Sequence, residues 1–253
     1  HTWLRRQRQM CIRDRIDSED YFNVLNKSDS KLSSVHEVKI KNLNFDYNTV
    51  NSFKELLLKS SCCVDLIFED CKFNNFQNFG ELESISSLSF INCNLNSIDD
   101  DFIFLVGSED IYALDIKQET RINNLDRIIN IQNINHLGIS NGLTVFPDFI
   151  LKMVKLNSLD LAENNIKKIP IEIKSLTNLQ SLYLDHNVLN SLPKEIGFLS
   201  KLEILTLNSN PIENLPEELK KLELVELWIS YEKLPEMVKD SFNNYFGSII
   251  VDF

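Results

Sequence analysis

The chain lacks the short patterns that mark most enzymes. It contains no Gly-Lys-Ser/Thr loop, no HExxH and no Gly-x-Ser-x-Gly, which are typical of phosphate binding, zinc proteases and serine hydrolases. It also lacks any apolar run near the roughly 20 residues that cross a bilayer. We therefore expect a noncatalytic protein that needs no cofactor and no metal and has no membrane segment.

Basic residues are in short supply. The 253 residues include 26 Lys and Arg against 37 Asp and Glu, a formal net charge of −11. Five of the arginines lie within residues 1–15, and without that segment the charge is −15. Because such a surface repels phosphate backbones and anionic lipids, nucleic acids and membranes are not expected as partners.

One 23-residue phrase is present three times between Leu156 and Leu222. Seven apolar positions, one asparagine and one proline define it, in the first copy Leu156, Leu159, Leu161, Asn164, Ile166, Ile169, Pro170, Ile173 and Leu176. The next two copies repeat all nine positions, so an internal repeat determines the architecture.

Each phrase predicts a short strand, a turn and a return segment. The Leu-x-Leu alternation is typical of a strand with one apolar face, and successive strands would pair in parallel. Asn164, Asn187 and Asn210 would form a ladder that hydrogen-bonds buried backbone groups, each costing about 1–3 kcal/mol if left unpaired. The proline that follows suits the start of a helix. Since one repeat cannot enclose its own apolar stripe, the copies must stack.

The phrase closely resembles the LxxLxLxxNxLxxLPxxIxxLxx consensus of the leucine-rich repeat family over residues 156–222. Its proline-bearing form is similar to the repeats of intracellular Ras-scaffold and Ras-group-related proteins and of many bacterial proteins. The resemblance implies an α/β horseshoe solenoid with a parallel sheet on its concave face and helical or irregular convex segments. It also implies protein binding on the concave face and no catalytic chemistry.

Weaker copies precede the regular ones. Their strands begin at Val35, Cys63, Ile85, Ile111 and Ile134. At the turn position Cys71, Cys93 and Asn141 extend the ladder, whereas Leu43 and Glu119 interrupt it, so we expect those two rungs to be less well hydrogen-bonded.

The acidic triplet Asp99, Asp100 and Asp101 lies in a 26-residue copy. A calcium loop needs spaced oxygen ligands and a glycine, which the triplet lacks. We therefore interpret it as a lengthened, solvated return loop.

The ends differ from the array. Residues 5–15, RRQRQMCIRDR, resemble a translated sequencing adapter, so we expect 1–15 to be non-native and the true N-terminus to be missing; a basic arm is the alternative. Residues 16–34 are an N-terminal cap or a remnant. We place the array of about eight to nine repeats at 35–234 and a C-terminal cap at 235–253, with a helix and a short final strand.

Cysteine usage favours a reducing compartment. Apart from Cys11, the chain has Cys62, Cys63, Cys71 and Cys93, and neither end carries a cysteine cluster. Secreted members of the family usually have disulfide-bonded caps, so the resemblance implies a cytoplasmic protein, for example in signal transduction.

Residues that alternate with the inward leucines should face a partner. We select eight of them as partner-binding: Asp160, Tyr183, Asp185, His186, Thr206, Asn208, Trp228 and Tyr231. Tyr183 and Trp228 fall in one column two rungs apart, hence about 10 Å, although they could simply cover the sheet near the cap. Along the whole face we count nine acids, Glu37, Asp65, Glu69, Asp70, Asp115, Asp160, Glu163, Asp185 and Glu226, against three lysines, Lys39, Lys41 and Lys117. The partner should therefore be basic or neutral.

The sequence thus predicts a noncatalytic interaction scaffold. The alternative is the recognition fragment of a larger enzyme or receptor whose catalytic part lies elsewhere.

Overall fold

The computed structural model describes residues 37–46, 50–51, 53–54, 64–74, 76, 85–107, 110–230, 234–237, 239–240 and 250–251. The predictions for residues 1–34, for Val35, His36, Cys62, Cys63 and Tyr231, and for most of the C-terminal cap lie outside these ranges. The chain divides after Ile134 into two compact units, called here unit 1 and unit 2. Each unit is built on parallel strands.

The described residues of unit 1 form six strands: β1 Glu37–Lys41, β2 Asn44–Phe45, β3 Val64–Glu69, β4 Lys72–Phe73, β5 Ile85–Ile91 and β6 Ala113–Lys117. The main sheet has the order β1-β3-β5-β6, and β2 pairs with β4 in a small second sheet. The register aligns Leu66, Leu88 and Leu114, all fully buried. The apolar alternation therefore predicted both the strands and their inward faces correctly.

Phenylalanine fills the core of unit 1. Buried rings contact one another at centroid distances of 4.9 to 6.1 Å, among them Phe45, Phe53, Phe68, Phe73, Phe76, Phe90 and Phe102. Most pairs meet edge to face, a preferred arrangement for aromatic rings. These bulky side chains occupy places that leucine and isoleucine take in unit 2.

The acidic triplet begins a helix and not a return loop, so that part of the prediction was wrong, although Asp99 and Asp100 are exposed to solvent as expected. Asp99 caps helix α1, Asp100–Val106, by accepting a hydrogen bond from the Phe102 backbone N–H at 2.8 Å. Asp100 and Asp101 lie in the first turn, where negative charge is stabilised by the helix dipole. The helix forms because Phe102, Leu105 and Val106 give it a buried side.

Unit 2 contains β7 His136–Ser140, β8 Ser158–Asp160, β9 Ser181–Tyr183, β10 Ile204–Thr206, β11 Glu226–Trp228 and β12 Ile250–Val251. They pair in this order, all parallel. The leucines of the repeated phrase stack in register as Leu137, Leu159, Leu182, Leu205 and Leu227, each with no exposed surface. β12 also confirms the final strand expected after the repeats.

The return segments are short 3₁₀ helices. In unit 2 they span Asp148–Lys152, Ile171–Ser175, Lys194–Phe198 and Glu217–Lys221, and unit 1 has one at Leu125–Asn130. A proline precedes each of the four in unit 2, with φ near −72°, as the phrase predicted. Among the described residues, no helix has both the length and the apolarity to cross a bilayer.

Candidate functional site

The asparagine ladder of unit 2 is formed as predicted. Each Nδ2 donates to a carbonyl of the preceding repeat and to one of its own, and each Oδ1 accepts a backbone N–H of the preceding repeat. The bonds to the preceding repeat run from Asn164 to Ile139 O at 2.7 Å, from Asn187 to Leu161 O at 2.8 Å and from Asn210 to Leu184 O at 2.8 Å. The ladder fixes the turn that follows each strand, and so holds the strand ends in place.

Unit 1 replaces asparagine by cysteine in the ladder. The Sγ atoms of Cys71 and Cys93 each lie 3.4 Å from a carbonyl of the preceding repeat, Ile40 O and Phe68 O. Contact with Cys71 and burial raise the pKa of Cys93, so this thiol stays a protonated donor. A thiol is a poor hydrogen-bond acceptor. Asn94 supplies the acceptor instead, because its Oδ1 accepts the Phe73 backbone N–H at 2.7 Å.

The two interrupted rungs differ. Glu119 is exposed, but the adjacent Gln118 is buried and donates to Leu95 O at 2.7 Å. Its Oε1 is buried without a hydrogen-bond partner in the described part of the chain, so this rung is less complete than an asparagine rung. At the other rung Leu43 is half-buried.

Each regular turn contains a left-handed residue directly before the ladder asparagine. In unit 2 these are Glu163, His186 and Ser209, with φ between 53° and 58°. Their backbone N–H groups reach the next repeat, as in the 2.8 Å bond from His186 N to Asn208 O. Left-handed backbone is unfavourable for most side chains, so the stacked repeats stabilise it. The result places Glu163 and His186 on the outside of the turn, both exposed.

Four of the predicted partner-binding residues lie side by side across unit 2. The register pairs Asp160 with Tyr183, Tyr183 with Thr206, and Thr206 with Trp228. We call these four aligned residues the central column. The register confirms that Tyr183 and Trp228 share a column two strands apart, which corresponds to about 10 Å at the usual strand spacing of about 4.8 Å. Asp160, Tyr183 and Trp228 are all half-buried, with part of each side chain on the outer face.

Thr206 differs from its neighbours, because only 6% of it is exposed. Its hydroxyl donates to a carboxylate oxygen of Asp185, whose other oxygen accepts the Asn208 backbone N–H at 2.7 Å. The sequence predicted that the Thr206 side chain is exposed to a partner, and this expectation was wrong because the side chain is buried. Its small, buried side chain lies between Tyr183 and Trp228 in the central column, and we call this position the floor of the column.

Carboxylates surround the two aromatic side chains. Glu226 Oε2 accepts a hydrogen bond from the Trp228 indole at 2.9 Å, which fixes the ring beside a negative charge. Burial raises the pKa of Tyr183, and the charges of Asp160, Glu226 and Asp185 raise it further. Burial likewise raises the pKa of Asp185, although the hydrogen bonds from Thr206 and Asn208 act to lower it. The phenol thus lies within the field of three carboxylates.

The two units differ in how they balance charge on this face. In unit 1 both Lys39 and Lys41 pair with Glu69, and the hydrogen bond from Lys39 is the main cause that holds the pKa of Glu69 below its usual value. On unit 2 the described face positions of strands β7 to β11 and their turns include Asp160, Glu163, Asp185 and Glu226 but no lysine or arginine. Of the nine acids counted on the face, five lie in unit 1 together with all three lysines, and four lie in unit 2 with none, so the larger part of the acidic surplus is in unit 2.

One pair of reactive residue types was missed by the sequence reasoning. His136 Nδ1 lies 2.8 Å from Ser158 Oγ on the neighbouring strand. The two residues are 22 positions apart, so only the register of β7 and β8 shows that they meet. The contact is a cross-strand hydrogen bond of the kind that stabilises sheets.

The comparisons with known proteins agree with this architecture. Residues 132–189 match the profile of a family described as leucine rich repeat. A comparison with curated protein sequences found no match. Among solved structures, an internalin C2 of Listeria monocytogenes superposes with a TM-score of 0.60 and 16% identity, over 84% of this chain and 91% of that one.

Two further structures from Listeria monocytogenes are similar. InlP gives a TM-score of 0.58 at 17% identity, over 93% of this chain and 67% of that one. The internalin inlF gives 0.51 at 18% identity, over 79% and 62%. At such low identities the superpositions establish the fold alone. Together with the family match, they confirm the leucine-rich repeat resemblance and the α/β solenoid predicted from the phrase. The partner-binding role of the selected residues, the domain boundaries and the cytoplasmic location stay predictions.

Proposed function

Because this chain is a leucine-rich repeat protein, we propose that it acts as a noncatalytic interaction scaffold whose unit 2 sheet face binds a protein partner. The observation that carries the proposal is the central column. Tyr183 and Trp228 stand in register on one rigid face, with a small buried residue between them. Tyrosine and tryptophan are the side chains that most often dominate binding energy at protein interfaces.

The face is suited to binding because it is preorganised. The ladder asparagines fix the turns after β8, β9 and β10, and Glu226 holds the Trp228 ring by a hydrogen bond. A side chain that is already ordered loses less conformational entropy when a partner arrives. The surplus of carboxylates favours a partner that is basic or neutral at the contact, and disfavours nucleic acids and anionic membranes.

The test starts from random peptides displayed on phage and selected on the immobilised protein. Individual selected peptides are then synthesised and titrated against the wild type and against Tyr183→Ala and Trp228→Ala. Each variant should weaken binding by about tenfold or more, which corresponds to about 1.4 kcal/mol or more.

The matched control is Phe198→Ala, which removes an aromatic ring that is 64% exposed on a return segment. It should leave the affinity within about twofold. Peptides that bind Tyr183→Ala and Trp228→Ala as tightly as the wild type would place the site elsewhere and refute the proposal.

A further inference from the structure

On the unit 2 sheet face, two aromatic side chains flank a small buried residue. Thr206 separates Tyr183 from Trp228 in the central column and is buried, so the strands that carry the two rings flank a low floor. A group seated above Thr206 would be about 5 Å from each flanking strand. A cation seated there would lie between two aromatic side chains, and aromatic rings attract cations that approach within about 6 Å of the ring centre.

One carboxylate lies beside this position. Glu226 Oε2 accepts the Trp228 indole N–H at 2.9 Å, which fixes the carboxylate next to the ring. Asp160 lies on the far side of Tyr183, two strands from Thr206, so it adds negative charge near the phenol but does not flank a group above Thr206. A positive group between the rings would therefore meet the ordered carboxylate of Glu226.

The protein does not provide that positive group at the described face positions of unit 2. In unit 1 part of the acidic charge is balanced internally, because Lys39 and Lys41 both contact Glu69. In unit 2 the same side of strands β7 to β11 has four acidic residues, two histidines and no lysine or arginine. Charge complementarity therefore points to a cation on the partner.

Arginine fits this arrangement better than lysine. Its guanidinium is planar, so it can stack on an aromatic ring while its edge donates two hydrogen bonds to a carboxylate. It is also more weakly hydrated than an ammonium group, which lowers the cost of leaving water. Lysine would supply the charge but neither the planar stack nor the bidentate contact.

We propose that the partner segment bound on the unit 2 face inserts an arginine between Tyr183 and Trp228, with its guanidinium held by Glu226. This inference rests on the proposed function, since it names the chemistry recognised at the same site. It commits to a protein segment with an arginine at its centre.

The test uses four pools of acetylated nonapeptides. Their outer positions are random mixtures of neutral residues, and the central residue is arginine, lysine, citrulline or norleucine. Citrulline retains the shape of arginine without its charge. The arginine pool should bind the full chain about tenfold more tightly than the citrulline pool, with lysine in between.

Two variants locate the effect. Glu226→Gln and Trp228→Ala should each weaken the arginine pool about fivefold and leave the citrulline pool within about twofold. Glu213→Gln makes the same charge change at an exposed return-segment position and should leave all four pools unchanged. Circular dichroism verifies that each variant is folded, and Glu226→Gln retains an amide that can still accept the indole hydrogen bond.

The results separate this inference from the proposed function. Equal binding of the arginine and citrulline pools would overturn the arginine site, and so would an arginine preference that survives both variants. Phage-selected peptides that bind through Tyr183 and Trp228 but contain no arginine would also overturn the arginine site. In that case the proposed function stands. Phage-selected peptides that bind Tyr183→Ala and Trp228→Ala as tightly as the wild type would instead refute the proposed function.

Discussion

Replacing Asn187 by alanine tests the ladder on which the sheet face depends. Asn187 is 4% exposed, and its Oδ1 accepts the Ile166 backbone N–H at 2.9 Å. Its Nδ2 donates to Leu161 O at 2.8 Å and Leu184 O at 3.1 Å. The three bonds are not equally replaceable.

The carbonyls retain a second donor in the variant. Leu161 O still accepts from Asn164 at 3.0 Å, and Leu184 O from Asn210 at 2.8 Å. The Ile166 N–H has no such substitute and would be left unpaired in the core. An orphaned buried donor costs about 1–3 kcal/mol, and with the lost Nδ2 bonds we expect Asn187→Ala to reduce the free energy of unfolding by about 2–3 kcal/mol.

Urea unfolding followed by circular dichroism and tryptophan fluorescence measures the loss. Asn165→Ala is the control, because this neighbouring side chain is exposed, and it should change stability by less than about 0.5 kcal/mol. Asn187→Cys should be nearly as damaging as alanine, since a thiol restores a donor but not the acceptor for Ile166. A cysteine variant with wild-type stability would show that the donors, not the acceptor, stabilise the rung.

Three further changes test other parts of the fold. Leu182→Ala should cost about 2–5 kcal/mol through its cavity, measured by urea unfolding, whereas Val188→Ala, at an exposed position, should cost far less. Asp99→Ala should cost about 0.5–2 kcal/mol by removing the cap on α1, and hydrogen exchange of the Phe102 amide should then accelerate. Asp185 has a raised pKa in the folded state, so its charge destabilises the fold as pH rises through that pKa. Asp185→Asn should therefore gain stability relative to wild type at pH 7, and this gain should shrink in acid; a gain independent of pH would contradict the burial argument.

The positions of the strands could be predicted because their signal is local. Val38, Ile40, Leu66 and Phe68 alternate with polar residues, and a period of two leaves one choice for the inward face. The column of Tyr183 and Trp228 followed from the same offsets, since equal repeat positions must become neighbours in a parallel sheet.

The features that were missed depend on contacts between repeats. Nothing beside Asn94 indicates that its amide completes the Cys93 rung, because its partner Phe73 is 21 residues away. Thr206 looks like any outward residue in the sequence, and only the structure shows that Asp185, in the turn after β9, accepts its hydroxyl hydrogen bond. Asp99 could have been recognised as a cap from the buried side chains that follow it, but a run of three acids more often indicates a solvated loop.

The most direct test of the account is the indole signal of Trp228. A phage-selected peptide is titrated into ¹⁵N-labelled protein, and the Trp228 Nε1–H resonance is assigned with Trp228→Phe. The account predicts that this resonance shifts in proportion to the bound fraction, while the backbone amides of the return segments at Ser175 and Phe198 stay in place. A saturating peptide that shifts the return-segment amides and leaves the Trp228 indole unmoved would contradict it.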